Sequence, residues 1–161
     1  MQPEDQRKCL AVVRVRSVIG AMKEVKDTLK MLRITQTNHA TLIDNRPAYL
    51  GMLNTTRNYI SWGEASKETI QLLLKKAARL IGNKKLGDEY AQKIGYKSVE
   101  ELAEAIYGCK VEYTKLPSIK PLFRLHPPSK GFKGKTKKSY AMGGETGYRG
   151  DAINELLKRM L

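Results

Sequence analysis

Acidic side chains are scarce in this sequence. There are 16 of them against 30 lysines and arginines, a formal net charge of +14. Such a balance points to an anionic partner, either nucleic acid or an anionic membrane. Long apolar runs are missing as well, and a bilayer span needs about 18 consecutive apolar residues. The first eight residues, M-Q-P-E-D-Q-R-K, lack the basic, apolar and small order of a signal peptide. No membrane partner is expected, and a soluble, cytoplasmic chain is.

Ligand-forming side chains are few. Cys9 and Cys109 form neither a C-x-x-C nor a metal pattern and are expected as reduced, packed residues. The two histidines, His39 and His126, stand far apart, and no His or Cys pair has zinc-ligand spacing. The carboxylates fall on helix surfaces and caps without a paired constellation. The stretch G-F-K-G-K-T ends in the Gly134-Lys135-Thr136 of a phosphate loop. The full motif needs a glycine five residues earlier, where Ser129 stands. G-G-E-T-G-Y-R-G lacks the G-x-G-x-x-G spacing of dinucleotide sites. No enzyme, cofactor, metal or small-molecule substrate is therefore expected. A nucleotide hydrolase using Lys135 and Thr136 stays only as a reading to test.

What the sequence does have is a basic, glycine-rich stretch from Pro121 to Gly150. Residues 120–149 carry eight basic side chains and one acidic one. The basic ones are Lys120, Arg124, Lys130, Lys133, Lys135, Lys137, Lys138 and Arg149, with Phe132, Tyr140 and Tyr148 among them. Glycine permits close backbone approach, lysine neutralises phosphate, and aromatic rings stack on bases. Either a nucleic-acid-binding arm or a solvated, disordered loop has this composition.

Periodicity organises the rest. Residues 8–17 alternate as a strand, with Cys9, Ala11, Val13 and Val15 on one face. The other face runs from Leu10 and Val12 to Arg14 and Arg16, so its far end is expected to meet solvent or an anion. Met22, Val25, Leu29 and Leu32 give one face of a helix over about 22–33. A second strand is predicted at 39–43. Pro47 opens a second helix reaching about Asn58, with Tyr49, Met52, Leu53 and Thr56 inward. Gly51 inside it suggests close helix–sheet approach. A third strand follows at 59–62, ended by Gly63. The alternation of strands and helices favours a compact unit with helices on one face of a small sheet.

Residues 67–119 read as three helices. The first is marked by Ile70, Leu73, Leu74, Ala77 and Ile81, with Gly82 just past its end. Asp88 caps the second, and Ser98 with Glu101 forms a capping box for the third. A last helix over 151–161 has Asp151 as cap and Ile153, Leu156, Leu157 and Met160 inward. The basic stretch thus lies between packed segments, with Ser129 to Ser139 expected as a mobile loop that orders on RNA.

Several short motifs carry a resemblance. V-R-V-R-S-V-I-G at 13–20, T-L-K-M-L at 28–32, N-H at 38–39 and P-A-Y-L-G-M-L at 47–53 resemble the large-ribosomal-subunit protein L-thirty family. N-Y-I-S-W-G-E at 58–64, P-L-F-R-L-H-P-P-S-K-G-F at 121–132 and G-G-E-T-G-Y-R-G-D-A-I-N-E-L-L at 143–157 resemble its longer archaeal form, related to the eukaryotic protein L-seven. The resemblance implies an α+β fold: a β-α-β-α-β core with a three-stranded antiparallel sheet, like a truncated ferredoxin-like fold. It divides the chain into a tail at 1–7, this core at 8–66, a helical extension at 67–119, a basic RNA-binding extension at 120–150 and a C-terminal helix at 151–161.

It further implies a structural constituent of the large ribosomal subunit, without catalysis. The partners would be large-subunit ribosomal RNA, close to the five-S RNA, and neighbouring ribosomal proteins. Carried over by motif, the RNA contacts are Arg14, Arg16, Ser17 and Gly20, then Asn38, His39 and Arg46, then Arg124, His126, Lys130, Lys133, Lys135, Lys137, Lys138, Tyr148 and Arg149. Ser17 departs from the glycine frequent in the longer forms. The alternative of another class is a free RNA- or DNA-binding regulator outside the ribosome.

Overall fold

The computed structural model describes residues 7–161. The tail expected at 1–7 lies, apart from Arg7, outside the described residues. The chain begins β1 (Cys9–Arg14), α1 (Lys23–Met31), β2 (His39–Asp44), α2 (Pro47–Thr56) and β3 (Ile60–Glu64). β1 pairs antiparallel with β2 on one side and β3 on the other. The β-α-β-α-β order is therefore present.

The sheet is larger than the sequence suggests. β4 (Phe123–Arg124), β5 (Lys135–Ser139) and β6 (Gly144–Tyr148) extend it to six strands in the order β4-β2-β1-β3-β6-β5. β6 runs parallel to β3, and β5 parallel to β6, so the sheet is mixed. The expected three-stranded antiparallel sheet is corrected accordingly. Its outer edges found new partners in the basic stretch, which lacks the apolar alternation that marks a strand.

The sheet is the middle of three layers. Leu10 and Val12 of β1 face α1 and α2, meeting Val25, Leu29, Ile43 and Leu53. Cys9, Ala11 and Val13 face the other way, into a core with Ile70, Leu73, Leu102, Ile106, Ile153 and Leu156. That second core is built by α3 (Lys67–Leu72), α4 (Asp88–Lys93), α5 (Val99–Tyr107) and α6 (Ala152–Met160). α6 buries Ile153, Leu156, Leu157 and Met160, the four expected inward. Each such side chain contributes about 1.5–3 kcal/mol by leaving water.

Other details differ from expectation. Met22 is 70% exposed because α1 starts one residue later, at Lys23. α3 passes into a π-helical turn at Leu73–Ala77 and stops, leaving Ile81 exposed in a bridged turn. Asp88 does not cap α4; its carboxylate accepts from the Val99 amide at the start of α5. Ser98 caps α5 as expected, while Glu101 accepts from Lys97 N–H rather than from Ser98. Asp151 stands at the N-cap of α6 without a side-chain cap bond.

Gly51 is exposed with open space around it, so the close approach inferred there is absent. It occurs at Gly63, where a Cβ would lie 1.9 Å from the carbonyl oxygen of Gly150. The junction of β6 and α6 is thereby pressed onto β3, and Arg149 N–H donates to Trp62 O at 2.9 Å.

Candidate nucleic-acid interface

Strand direction gathers part of the expected interface at one end of the sheet. β1 ends there at Arg14, β2 begins there at His39, and β4 ends there at Arg124. The turn into β2 uses Asn38 in the left-handed region, φ 67°. Its N–H donates to Arg14 O at 2.9 Å, and its carbonyl accepts from Leu125 N–H at 3.2 Å. Asn and Asp tolerate such turns better than most residues. α1 leads into this turn through Arg33, also left-handed at φ 62°. Arg33 N–H donates to Lys30 O and Ile34 N–H to Leu29 O, the Schellman pattern with arginine in place of glycine.

Arg14 is not the free cation expected at the end of β1. It is buried, and its guanidinium donates through Nε to Arg16 O at 2.9 Å and through Nη1 to Thr35 O at 2.5 Å. The strand's basic end turns inward because the carbonyls of two converging loops need donors. Burial lowers the Arg14 pKa. Arg16 lies over the Tyr59 ring, 5.1 Å from its centroid, and donates to Asn58 O at 3.1 Å. Ser17 Oγ accepts from Ile19 N–H, and Gly20 turns the projecting loop with φ 79°. His39 is buried, with Nδ1 unpartnered among the described residues; its pKa is lowered by burial, then by Arg124 and Arg14. Arg124 is exposed.

The basic stretch leaves this sheet end along α6. His126 N–H donates to Met160 O at 3.0 Å and Ser129 N–H to Arg159 O at 2.9 Å. Arg159 grips the turn that presents Lys130, donating to Ser129 O and Gly131 O. Sequence reasoning missed Arg159, which reads only as a helix-dipole residue. Lys133 pairs with Glu155 at 2.5 Å, both exposed. Lys135, Lys137 and Lys138 stand exposed along β5, the outer edge of the sheet. Part of the segment expected as a loop is thus a strand. Glu145 fixes its start, accepting from Gly134 N–H at 2.8 Å, and Thr146 Oγ1 donates to Lys138 O at 3.0 Å.

Three expected contacts are not gathered there. Arg46 follows the far end of β2, away from Asn38 and His39. It is ion-paired to Asp44 at 2.8 Å and Glu112 at 2.7 Å, and the Asp44 bond chiefly raises its pKa. Tyr148 O–H donates to the Glu64 carboxylate at 2.6 Å, which pushes its pKa up to about 12. Arg149 is held by Glu145 at 3.0 Å and lies over Tyr140, 4.6 Å from the ring centroid. Conversely, Lys26 and Lys30 of α1 line a hollow beside Arg14 and Thr35. Their place off the apolar face of α1 was the only sequence signal for them.

A family model described as ribosomal protein L30p/L7e matches residues 10–60, from β1 to the start of β3. Large ribosomal subunit protein uL30 of Methanopyrus kandleri is 44% identical over 149 residues, covering 91% of this chain and 100% of that protein. Its counterpart in Methanosphaera stadtmanae is 47% identical over 154 residues, 94% and 99% of the two chains. That of Archaeoglobus fulgidus is 45% identical over 151 residues, 93% and 98%.

Proposed function

The chain belongs to the uL30 family of large-subunit ribosomal proteins, and we propose that it holds ribosomal RNA by neutralising phosphates along two surfaces. As a member it is a structural constituent of the large ribosomal subunit, associated with ribosomal RNA and other ribosomal proteins. The family is one of ribosomal proteins, and no catalytic activity is indicated.

The first surface is the sheet end: Arg16, Ser17, Gly20, Asn38, His39 and Arg124, with Lys26 and Lys30 beside it and Arg14 shaping it from below. The second is the β5 edge with its preceding turn: His126, Lys130, Lys133, Lys135, Lys137 and Lys138. The observation that carries the reading is the run of exposed lysines on β5 with no acid among them. Lysines on an edge strand also deter sheet-to-sheet pairing, and this benefit is compatible with RNA binding. A-form RNA offers phosphates and sugar hydroxyls more readily than base edges, so shape and charge dominate over sequence reading. Arg46, Tyr148 and Arg149 serve chiefly to lock the fold by donating to the carboxylates of Asp44 and Glu112, Glu64, and Glu145. The proposal extends to a place near the five-S RNA and a cytoplasmic setting. Sedimentation tests it: the protein should co-migrate with large subunits at low magnesium. Recovery mainly in light fractions would favour a free nucleic-acid-binding regulator.

A further inference from the structure

At the sheet end, three side chains stand in one row across three adjacent strands. His39 of β2 is paired with Arg124 of β4. One step beyond the Val13–Ala40 pair, Arg14 of β1 stands across from His39 on its other side. Cross-strand partners share a face of the sheet, so His39 stands between two arginines, one of which, Arg14, has its guanidinium bonded to Arg16 O and Thr35 O. Neither arginine has an ion pair among the described residues. On α1, Lys26 and Lys30 line the hollow next to Arg14. The charged groups acting on His39 are Arg124 and Arg14, and among the described residues no carboxylate does. Like charges directly opposite one another destabilise a sheet. A counter-anion would relieve this row.

We propose that the Arg124–His39–Arg14 row seats one RNA phosphodiester, and that RNA binding there takes up a proton on His39. This rests on the reading of the chain as an RNA-binding ribosomal protein. The seat is built for it: exposed Arg124 offers its guanidinium to the anion, while buried Arg14 supplies fixed positive charge from beneath. His39 is nine-tenths buried, with Nδ1 lacking a partner among the described residues. In the free protein, burial and then the positive charges of Arg124 and Arg14 disfavour a proton on the imidazole. A phosphate on Arg124 cancels that repulsion, and the imidazolium then adds its own attraction. Binding and protonation are linked, so each strengthens the other.

Two measurements test it. The first follows the His39 imidazole by NMR titration in the free protein, with inorganic phosphate, and with a large-subunit RNA fragment. The midpoint should move up with the RNA. A parallel move with phosphate alone shows that the shared chemistry is the phosphate group. A move with phosphate but not with RNA overturns the assignment to RNA. The second compares RNA affinity at about pH 6 and about pH 8 for the wild type and His39→Gln. The wild type should gain at least about threefold more on acidification than the variant. His126 is present in both proteins and cancels. Equal pH dependence overturns the proposal. If the wild type binds no ribosomal RNA at either pH, the functional reading itself fails. The phosphate titration then still decides whether the row is an anion seat.

Discussion

The carbonyl oxygen of Gly150 stands 1.9 Å from where a side chain at Gly63 would begin. No L side chain fits that space without separating β3 from the β6–α6 junction. This close packing holds the end of the basic stretch against the core.

Gly63→Ala should therefore destabilise the protein by about 2–4 kcal/mol, as overpacking against rigid backbone does at its upper end. Urea unfolding measures it. Gly51→Ala, in open space on α2, should instead be neutral or stabilise by up to about 1 kcal/mol.

Arg46→Ala leaves Asp44 with its side chain only 4% exposed and its strongest partner gone. The expected loss is about 1–3 kcal/mol of stability, the cost of a buried carboxylate that loses its charged partner and keeps the backbone N–H of residue 46. RNA affinity, measured on the folded variant, should change less than about twofold. A large affinity loss at unchanged stability would return Arg46 to the RNA contacts.

Replacing Lys135, Lys137 and Lys138 together with alanine should act in the opposite sense. These side chains are exposed, and the melting temperature of the free protein should stay nearly constant. RNA binding should weaken, and the salt slope should shrink by roughly two to three, about one for each phosphate no longer neutralised. A marked fall in melting temperature would show that the lysines hold β5 in place.

His39 gives the free protein a pH dependence of known sign. Its pKa is lowered in the folded chain, first by burial, then by Arg124 and Arg14. The unfolded chain, with an ordinary histidine pKa of about 6.5, binds the proton first. The contribution of neutral His39 to stability is thus fully present above about pH 6.5 and is lost as pH falls through the folded pKa. Melting temperature should fall from about pH 7 to about pH 5, and less so in His39→Gln. Identical curves for the two proteins would contradict this.

The sequence made β1 plain because its apolar run supplies both faces of a strand. Leu10, Val12, Ala11 and Val13 each lie on the face their spacing assigns. β4 is only two residues, Phe123 and Arg124, too short for any periodicity to register. β5, K-T-K-K-S, has no apolar side chain at all; it is a strand because β6 offers backbone partners and because Glu145 and Thr146 tie down its neighbours. The site divides in the same way. Residue type marked Arg14 and Arg46 as cations, but burial and pairing were decided by groups distant in sequence, Thr35 for one and Glu112 for the other. The sequence pointed to close approach at Gly51, inside a helix, but the fold brings Gly150 against Gly63, which reads only as a strand end.

Affinity for large-subunit ribosomal RNA as a function of salt tests phosphate neutralisation most directly. With about six phosphates engaged, affinity should fall by roughly 10³ or more between about 50 and about 200 mM salt, linearly in the logarithms. An affinity that holds steady across that range would contradict binding through phosphate charge.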